Sequence, residues 1–512
     1  MITMLLDALP LSGGFWPAPH AAARVQAHVS LPGSKSLTNR WLVLAALAVG
    51  PSTGTGVLRA RDTDLMMAAL GAFGARVEPA ADDPTMVHVI PGPLLGGSLG
   101  DPLRIDCGLA GTVMRFVPMV AALAAGSTMF DGDPRARERP MLTTLTSLRG
   151  LGVSVGDAQA TTGSASGRLP FTVHGTGALR GTGVTTGASA RSVTASAQPL
   201  VIDSCASSQF VSALLLIAAR TELGLSLSHR GAAMPSVPHV VMTLAALRAR
   251  GVDARWVGAP ADDPAGLGLI DGAGPVLDPT RLDWTVAPGP IAALDEAIEP
   301  DLSNAGPFVA AAAVTGGQVR VHGWPLASTQ PGFRWPEILA EFGCDVAVLQ
   351  LDSGRGHSAA GPGFGGSGEL VVQGPDVLVG VDLDLSAVGE LTPVVAAIAA
   401  CASTASTLRG IGHLRGHETD RLVAIATELT ALGARVEVGD DSLVIHPGVL
   451  RVPADGRPLL TYGDHRMVHL GAVLGLVTSG LRIADVETVA KTMPDFTTRW
   501  QALIDQTSVG GR

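Results

Sequence analysis

Lysine is rare in this sequence, and both lysines stand in polar motifs. The chain of 512 residues has 35 basic side chains, of which only Lys35 and Lys491 are lysines. The lysine ammonium group is compact and its pKa responds to its surroundings, whereas the planar guanidinium of arginine stays charged. In a chain with this bias toward arginine, each remaining lysine is a candidate for binding or catalysis.

Lys35 lies at the predicted start of a helix. The segment LPGSKSLTNR precedes the apolar run WLVLAALAVG, so Lys35, Ser36 and Arg40 fall in or just before the first helical turns. Free backbone amides at a helix N-terminus, joined by an ammonium, a hydroxyl and a guanidinium, suit a phosphate or a carboxylate. A capped helix start with an exposed cation is the alternative. A Walker loop is excluded, because Ser34 occupies the position before the lysine where that motif requires glycine.

Further segments of the first half place small, hydroxyl or cationic residues ahead of helices or in turns. They are CGLAGTVMR with Gly111, DGDPRARERP with Arg139, SCASSQF with Ser207, Ser208 and Gln209, and MPSVPHVVMT with Ser236. Glycine permits close approach to the backbone, and hydroxyl, amide and guanidinium groups donate hydrogen bonds to anions. Taken singly, these residues also fit ordinary turns, solvated charges and helix caps.

Carboxylates join the cations in the second half of the chain. Glu390 in SAVGELTPVV lies at the mouth of an otherwise uncharged helix, where we expect burial to raise its pKa toward the range of a general base. A glutamate at a helix start also fits a favourable interaction with the helix dipole alone. Three compact polar motifs follow, namely RGHETDRL with His417, Glu418 and Arg421, YGDHRM with Arg466, and KTMPDF with Lys491.

Composition excludes several classes of function. Acidic residues number 45 against 35 basic ones, and the net charge of -10 disfavours a nucleic-acid-binding or membrane-surface protein. The four cysteines form no CxxC pair, and no HExxH or dinucleotide-binding motif is present, which argues against a disulfide framework and against a metal or nucleotide cofactor. The N-terminus does not match a signal peptide, and we expect a cytoplasmic protein. The polar motifs then indicate group transfer between small anions.

A recurring junction predicts a repeated α/β unit. An apolar periodic segment ends at glycine and a β-prone run follows at Gly74, Gly152, Gly251, Gly343 and Gly433, with successive spacings of 78 to 99 residues. A final apolar helix at residues 500–504 fits a sixth unit. Apolar spacing also predicts helices at 38–49, 64–73, 111–124, 207–219, 303–314, 391–402 and 420–432. The Gly-rich segments 175–197 and 353–368 are predicted to be surface insertions.

Ten motifs between residues 31 and 495 resemble, in their order, those of the EPSP synthase family. They are LPGSKSLTNR, GLAGTVMR, RARERPM, SSQFVSALLL, PSVPHVVMT, DLSNAGPF, ELTP, RGHETDRL, YGDHRM and KTMPDF. The resemblance implies transfer of the enolpyruvyl group of phosphoenolpyruvate to the 5-hydroxyl of shikimate 3-phosphate, with release of phosphate, in the sixth step of chorismate synthesis. It also implies an α/β (α+β) fold, a two-domain inside-out α/β barrel with three βαβαββ units in each domain. The expected domains are residues 32–298 and residues 1–31 together with 299–512.

The resemblance also assigns roles to the polar residues. It makes Glu390 the acceptor of the 5-hydroxyl proton, makes Glu418 or Lys491 the proton donor to the methylene carbon of phosphoenolpyruvate, and counts Lys35 as catalytic. Shikimate 3-phosphate is expected to contact Lys35, Ser36, Arg40, Ser207, Ser208, Gln209, Ser236, Glu390, His413 and His417. Phosphoenolpyruvate is expected to contact Lys35, Gly111, Arg139, Gln209, Arg421, Arg466 and Lys491. No cofactor or metal is implied; the expected partners are these two small molecules, and the protein is expected to be a monomer.

Four positions depart from the pattern common in the family. Leu109 and Phe116 stand where many members have Asn and Pro, and His413 and His417 stand where many have Asn and Lys. Two alternative functions are kept. One is the related enolpyruvyl transferase acting on UDP-N-acetylglucosamine, which relies on a loop cysteine that this sequence lacks at the matching position. The other is an inactive anion-binding homologue.

Overall fold

The structure is a computed structural model, and it describes residues 14–157, 167–184, 198–259, 278–350 and 366–509. The strands are β1 (Trp16–Pro17), β2 (Gln26–Val29), β3 (Ser52–Thr55), β4 (Arg76–Pro79), β5 (Val87–Ile90), β6 (Leu103–Asp106), β7 (Ala125–Asp131), β8 (Ser154–Asp157), β9 (Phe171–Thr176), β10 (Leu200–Ile202), β11 (Leu225–Arg230), β12 (Ala254–Trp256), β13 (Arg281–Val286), β14 (Glu296–Ala297), β15 (Gln318–Pro325), β16 (Asp345–Gln350), β17 (Ser367–Gln373), β18 (Asp382–Asp384), β19 (Ser406–Arg409), β20 (Arg435–Val438), β21 (Ser442–His446) and β22 (Arg482–Ile483).

The helices are α1 (Lys35–Leu47), α2 (Arg61–Ala72), α3 (Gly111–Leu123), α4 (Leu142–Gly150), α5 (Gln209–Ala218), α6 (Pro238–Ala249), α7 (Gly306–Thr315), α8 (Trp335–Glu341), α9 (Thr392–Ala400), α10 (Arg421–Ala431), α11 (His465–Val477) and α12 (Phe496–Val509). Short 3₁₀ turns occupy Ala136–Glu138, Pro331–Arg334, Gly389–Leu391, Gly412–Gly416 and Val486–Lys491. Among the residues described, no helix has both the length and the apolar character that a membrane span requires.

One topology recurs in five four-stranded sheets. Their orders are β14-β3-β5-β4, β6-β7-β9-β8, β10-β11-β13-β12, β2-β15-β17-β16 and β18-β19-β21-β20. In each sheet the first two strands pair in parallel, and the other two add as antiparallel neighbours. The chain order β6-α3-β7-α4-β8-β9 is the predicted βαβαββ unit in one uninterrupted stretch. The predicted α/β fold class is confirmed.

Two units are completed by strands from distant parts of the chain. Strand β2 pairs with β15, although α1 to β14 lie between them in sequence, and β14 pairs with β3. The chain therefore passes from one half to the other before α1 and returns after β14. We propose that residues 32–298 form one domain and that residues 1–31 together with 299–512 form the other.

The sixth unit is reduced. Strand β1 pairs antiparallel with β22, and Leu459 forms a parallel bridge with Ile483. Within the described part of the chain, this unit thus has a two-stranded sheet where the other five have four strands. A strand from the N-terminal side takes the place of the usual hairpin.

Each half encloses its own apolar core around three inner helices. In the first half, α5 packs against α1 and α3, and every residue of α3 is buried. In the second half, α7, α9 and α11 all contact one another. The sheets lie outside these helices and alternate buried and more exposed residues, as in β13, which is the pattern of a sheet with one face on a core.

The glycine junctions are confirmed at all five predicted positions. Gly74, Gly152, Gly251, Gly343 and Gly433 have φ between 78° and 111°, and each follows a helix and precedes a strand. A left-handed residue lets the chain leave the helix and satisfies its last carbonyl groups, and glycine adopts this conformation without a Cβ penalty.

No helix bounds were predicted for α4, α6, α8 and α11, although the junctions at Gly152, Gly251 and Gly343 correctly indicated that a helix ends before each of these glycines. Ser236 lies just before α6, whose first residue is Pro238, where a missing N–H costs nothing. Residues 175–184 also differ from the predicted loose insertion, because β9 extends to Thr176 and Leu179 is buried. Likewise, the end of the predicted insertion 353–368 enters β17 at Ser367. Residues 185–197 and 351–365 lie outside the described residues.

Candidate active site

One cavity between the two halves brings together every residue that the sequence analysis assigned to a site. Its walls include Lys35, Ser36, Arg40, Gly111, Arg139, Ser207, Ser208, Gln209, Ser236, Glu390, His413, His417, Glu418, Arg421, Arg466 and Lys491. The first nine belong to the first half of the chain and the rest to the second. The site therefore exists only where the two halves meet.

Helix N-termini surround this cavity. Lys35, Gly111, Gln209, Arg421 and His465 are the first residues of α1, α3, α5, α10 and α11, and all five line the cavity. The described first turns of these five helices contain no acidic residue. The positive ends of α3 and α5, which have no side-chain cap, are therefore available to an anion, whereas the carboxylates of Asp420 and Asp464 already cap α10 and α11.

Lys35 is held between carboxylates at the start of α1. Its Nζ lies 3.4 Å from Oδ2 of the buried Asp62, and its backbone N–H donates to Oδ2 of Asp301 at 3.1 Å. Burial lowers the pKa of Lys35, and nearby Lys491 and Arg466 lower it further, against the opposing effect of Asp62. An anion bound here would therefore relieve repulsion among these cations.

Arg40 ties three helices together from beneath the cavity. Its Nε donates to Oγ1 of Thr243 at 2.8 Å, and its Nη2 donates to Oγ of Ser212 at 3.2 Å and to the carbonyl of His239 at 2.9 Å. Burial lowers its pKa to about 9. Arg40 thus fixes the relative positions of α1, α5 and α6 as well as presenting charge to the cavity.

Gly111 leaves room for two guanidinium groups. A Cβ at this position would stand 3.0 Å from Nη1 of Arg115 and 3.2 Å from Nη1 of Arg139. Arg139 donates only a long bond, 3.5 Å to the carbonyl of Leu109, and its buried Nε has no partner among the described residues. Its donors are therefore available to a carboxylate or phosphate.

A network of opposite charges fills the second half of the site. Arg421 donates to both oxygens of Asp464, at 2.7 and 3.2 Å, and to Oε2 of Glu418 at 3.1 Å. Lys491 Nζ is hydrogen-bonded to Oε1 of Glu418. Burial raises the pKa of Glu418, but the charges of Lys491, Arg421 and Arg139 outweigh burial and hold this pKa well below its usual range.

The pKa expected for Glu390 is wrong in direction. Burial does raise it, but His239 and Arg466 together outweigh burial and lower the pKa of Glu390 to about 2. Oε1 of Glu390 lies 3.2 Å from Nε2 of His239 and accepts a hydrogen bond from Oγ of Ser303 at 3.4 Å. The sequence shows that Glu390 is near an apolar helix but does not show which cations face it.

Two histidines of the cavity wall are neutral at pH 7. Burial lowers the pKa of His413, and burial together with Arg421 lowers that of His417 well below the usual value. The buried Nε2 of His413 has no hydrogen-bond partner among the described residues. Both rings therefore offer polar contacts to a ligand without adding charge.

Sequence reasoning missed several residues of this site. The structure adds Asp62, Arg115, His239, Asp301 and Ser303, of which all but Asp62 line the cavity. Arg115 follows Gly111 by one helical turn and donates to Oε1 of Gln209 at 3.0 Å. Its place in GTVMR was a usable signal, since residues i and i+4 share a helix face.

Among the described residues, one group of ligand-type side chains lies together, and it is outside the cavity: His28, His322 and Glu369. The facing nitrogens of the two histidines are 3.3 Å apart while their ring centroids are 5.3 Å apart, so both nitrogens lie between the rings, as in a hydrogen bond. Arg320 already pairs with Glu369 at 2.8 Å. The cation paired with Glu369 disfavours a metal ion at this group.

Comparison with known proteins agrees with the geometry. The profile of the family described as EPSP synthase (3-phosphoshikimate 1-carboxyvinyltransferase) matches residues 19–260 and 272–500. The chain is 46% identical over 501 residues to a 3-phosphoshikimate 1-carboxyvinyltransferase of Kocuria rhizophila, covering 96% of both chains.

Solved structures resemble the fold. An EPSP synthase structure from Acinetobacter baumannii has a TM-score of 0.67 at 22% identity and covers 96% of this chain and 97% of its own. The enolpyruvyl transferase NikO from Streptomyces tendae has a TM-score of 0.62 at 17% identity, with 94% and 96% covered. On the family profile and the Kocuria rhizophila relative, each over nearly the whole length, the chain belongs to the EPSP synthase (3-phosphoshikimate 1-carboxyvinyltransferase) family.

Proposed function

We propose that the chain transfers the enolpyruvyl group of phosphoenolpyruvate to the 5-hydroxyl of shikimate 3-phosphate and releases phosphate. The observation that carries this proposal is the single cavity in which cations from both halves surround two ionised carboxylates, Glu390 and Glu418. Two small polyanions placed side by side require such an excess of cations and helix N-termini. The carboxylates supply the proton transfers that this reaction needs.

The two substrates occupy different sides of the cavity. Shikimate 3-phosphate lies on the first half, against Lys35, Ser36, Arg40, Ser207, Ser208, Gln209 and Ser236, with Glu390, His413 and His417 facing it from the second half. Phosphoenolpyruvate lies against Lys35, Gly111, Arg139, Gln209, Arg421, Arg466 and Lys491. The N-terminus of α5 supports the shikimate phosphate, and that of α3 supports phosphoenolpyruvate.

The charges of the site favour Lys491 over Glu418 as the acid. Glu418 is ionised, so it holds no proton to give, whereas Lys491 is hydrogen-bonded to it inside the cavity. Lys491 protonates the methylene carbon, and the 5-oxygen bonds to the adjacent carbon while its proton passes to Glu390. The new methyl group then returns a proton to the Lys491–Glu418 pair, which restores the double bond as the C–O bond to phosphate breaks. The phosphate leaves as hydrogen phosphate with the proton that Glu390 had accepted, which regenerates the base. Holding both substrates in contact supplies much of the rate.

Neither alternative function is favoured by the site. Enolpyruvyl transfer to UDP-N-acetylglucosamine needs a reactive cysteine, but Cys107 and Cys205 do not line the cavity. The pKa of both thiols is raised, and burial is the main cause. An inactive homologue is expected to lose part of the machinery, whereas Lys35, Glu390, Glu418 and Lys491 are all retained in one cavity. We further propose that the protein acts as a monomer in the cytoplasm.

Substrate choice tests this proposal. The purified protein is mixed with phosphoenolpyruvate and either shikimate 3-phosphate, shikimate or UDP-N-acetylglucosamine, and products are followed by ³¹P NMR without added metal. We expect an enolpyruvyl product only with shikimate 3-phosphate, because the cation cluster requires the ring phosphate. A product with UDP-N-acetylglucosamine, or with none of the acceptors, contradicts the proposal.

A further inference from the structure

We propose that His239 is a positioning residue for the reaction. It binds one carboxylate oxygen of Glu390 across the cleft, which turns the other oxygen toward the accepting hydroxyl, and it does so only when the two halves of the protein are together. The inference rests on the proposed function, because it concerns the group that removes the hydroxyl proton.

The two oxygens of Glu390 have different surroundings. Oε1 lies 3.2 Å from Nε2 of His239 and 3.4 Å from Oγ of Ser303. Both are donors when Nε2 carries a proton, so Oε1 is fully engaged. Both side-chain hydrogen bonds that Glu390 accepts within the described residues go to Oε1, and Glu390 lines the cavity. The contact with His239 therefore leaves Oε2 as the oxygen that meets the substrate.

His239 is rigidly attached to the first half. It is the second residue of α6, and its carbonyl accepts hydrogen bonds from Nη2 of Arg40 at 2.9 Å, from Oγ1 of Thr243 at 2.9 Å and from Oγ of Ser212 at 3.2 Å. Glu390 belongs to the 3₁₀ turn before α9 in the second half. The imidazole thus reaches a carboxylate 151 residues away along the chain, from a backbone that three side chains hold in place.

The pair is enclosed but open to the cavity. Both side chains are 16% exposed, and both line the cavity. Besides His239 and Ser303, the titratable or charged groups that face Glu390 are His413, Arg421 and Arg466. Each of these three lies in the second half, as Glu390 does. His239 is therefore the titratable group of the first half that directly contacts the base, which couples assembly of the base to approach of the halves.

Removing the imidazole changes the ionisation of Glu390 in a defined direction. After burial, which raises the pKa of Glu390, the charge and hydrogen bond of His239 are the largest influences and lower it. Without His239 the carboxylate gains its proton at higher pH, so the acidic limb of kcat/KM moves to higher pH. If His239 had only a structural role, its removal would not shift the acidic limb of the pH profile of kcat/KM.

The test compares His239→Ala and His239→Gln with the intact protein. Gln places an amide N–H where Nε2 stands but carries no charge. We expect kcat of H239A to fall about 100-fold, the lower range for a positioned proton-transfer group, while KM for phosphoenolpyruvate changes less than about threefold. H239Q should recover most of kcat, yet both variants should show the shifted acidic limb. His88→Ala is the matched control, since His88 is exposed on β5 and bonded only to Thr53.

A second measurement is independent of turnover. The ¹³C signal of the Glu390 carboxyl, assigned with Glu390→Gln, is titrated in the intact protein and in H239Q, and we expect its midpoint to move to higher pH in the variant. Unchanged kcat and an unchanged acidic limb in H239A, or an unchanged carboxyl titration in H239Q, overturns the inference. Absence of turnover in the intact protein contradicts the proposed function instead, whatever the titration shows.

Discussion

At the scale of single residues, the site is defined by carboxylates that remain charged although they are buried. Burial raises the pKa of both Glu390 and Glu418, but His239 and Arg466 reverse the shift at Glu390, and Lys491, Arg421 and Arg139 reverse it at Glu418. The chemical consequence differs between them, because Glu418 is paired with Lys491, which we propose as the proton donor, whereas Glu390 has one oxygen turned to the cavity. Each carboxylate thus has one role, which its neighbours decide.

Buried neutral histidines make the folded state sensitive to acid. His469 in α11 is fully buried, and neither ring nitrogen has a hydrogen-bond partner among the described residues. Burial, with help from Arg466 and Arg421, lowers its pKa well below the usual value. The unfolded chain binds a proton here below pH of about 6.5, whereas the folded chain does not. Stability from this residue is therefore present above that pH and is lost as the pH falls below it.

We predict that His469→Leu flattens the pH dependence of stability. The variant should lose up to about 1.4 kcal/mol per pH unit of acid sensitivity between pH 6.5 and 5, the contribution of one titrating group. At pH 7 it should be at least as stable as the intact protein, because two unpaired buried nitrogens cost about 1–3 kcal/mol. Urea unfolding at several pH values measures both effects. An equal slope for the variant and the intact protein would contradict the explanation.

The sequence revealed the motif residues of the site but not what they pair with. Lys35 and Lys491 were recognisable because lysine is rare in this chain, and Glu418 because it lies in a dense polar motif. Asp62 and His239 were not, since each becomes important only through a partner that the fold brings near. The misjudged pKa of Glu390 has the same origin, because burial is visible in an apolar sequence pattern and a distant cation is not.

At the scale of elements, helix ends determine where chemistry occurs. Five helices begin at the cavity without an acidic residue in the first turn, while five other helix–strand junctions use left-handed glycine to turn the chain. Apolar spacing predicted most inner helices within a few residues of their observed ends. The inner helix that it missed is α11, which begins inside the polar motif YGDHRM.

We predict that Gly251→Ala destabilises the protein through backbone conformation alone. Gly251 has φ of 78°, and a Cβ there would have no heavy atom within 4 Å, so the cost is the left-handed conformation, about 1–2 kcal/mol. Gly251→Asn should lose less, because asparagine tolerates this region better.

Gly71→Ala is the matched control for this substitution. Gly71 lies inside α2, and its Cβ would likewise meet no atom within 4 Å, so alanine should stabilise by about 0.5–1 kcal/mol. Thermal unfolding compares the three variants. Equal effects of alanine at positions 71 and 251 would show that the junction conformation is not what makes glycine necessary.

At the scale of the whole molecule, the active site is a contact between two halves that repel each other locally. Lys35 of the first half faces Lys491 and Arg466 of the second, and both lower its pKa. Bound anions neutralise this repulsion. The two-core architecture and its repeats were predictable from the glycine junctions and the motif order, whereas the reduced sixth unit was not, because its sheet uses a strand from the opposite end of the chain.

We predict that substrate draws the halves together in solution. Shikimate 3-phosphate should reduce the radius of gyration measured by small-angle scattering, and sodium chloride at the same ionic strength should not. The reason is that shikimate 3-phosphate contacts both halves and its charge offsets the repulsion between Lys35 and the cations of the second half, while screening alone makes no bridge. A radius of gyration unaffected by the substrate at saturation would contradict this expectation.

The most direct test of the account is phosphate release from phosphoenolpyruvate by the intact chain, compared with Lys35→Ala and Glu390→Gln. We expect release that depends on shikimate 3-phosphate and that falls about 100- to 10,000-fold in Glu390→Gln, the range for loss of a positioned general base. Lys35→Ala should lose both affinity and rate, since we propose that Lys35 contacts both substrates. Full activity in either variant, or no release by the intact protein in the presence of both substrates, would contradict the central claim that this cavity performs the transfer.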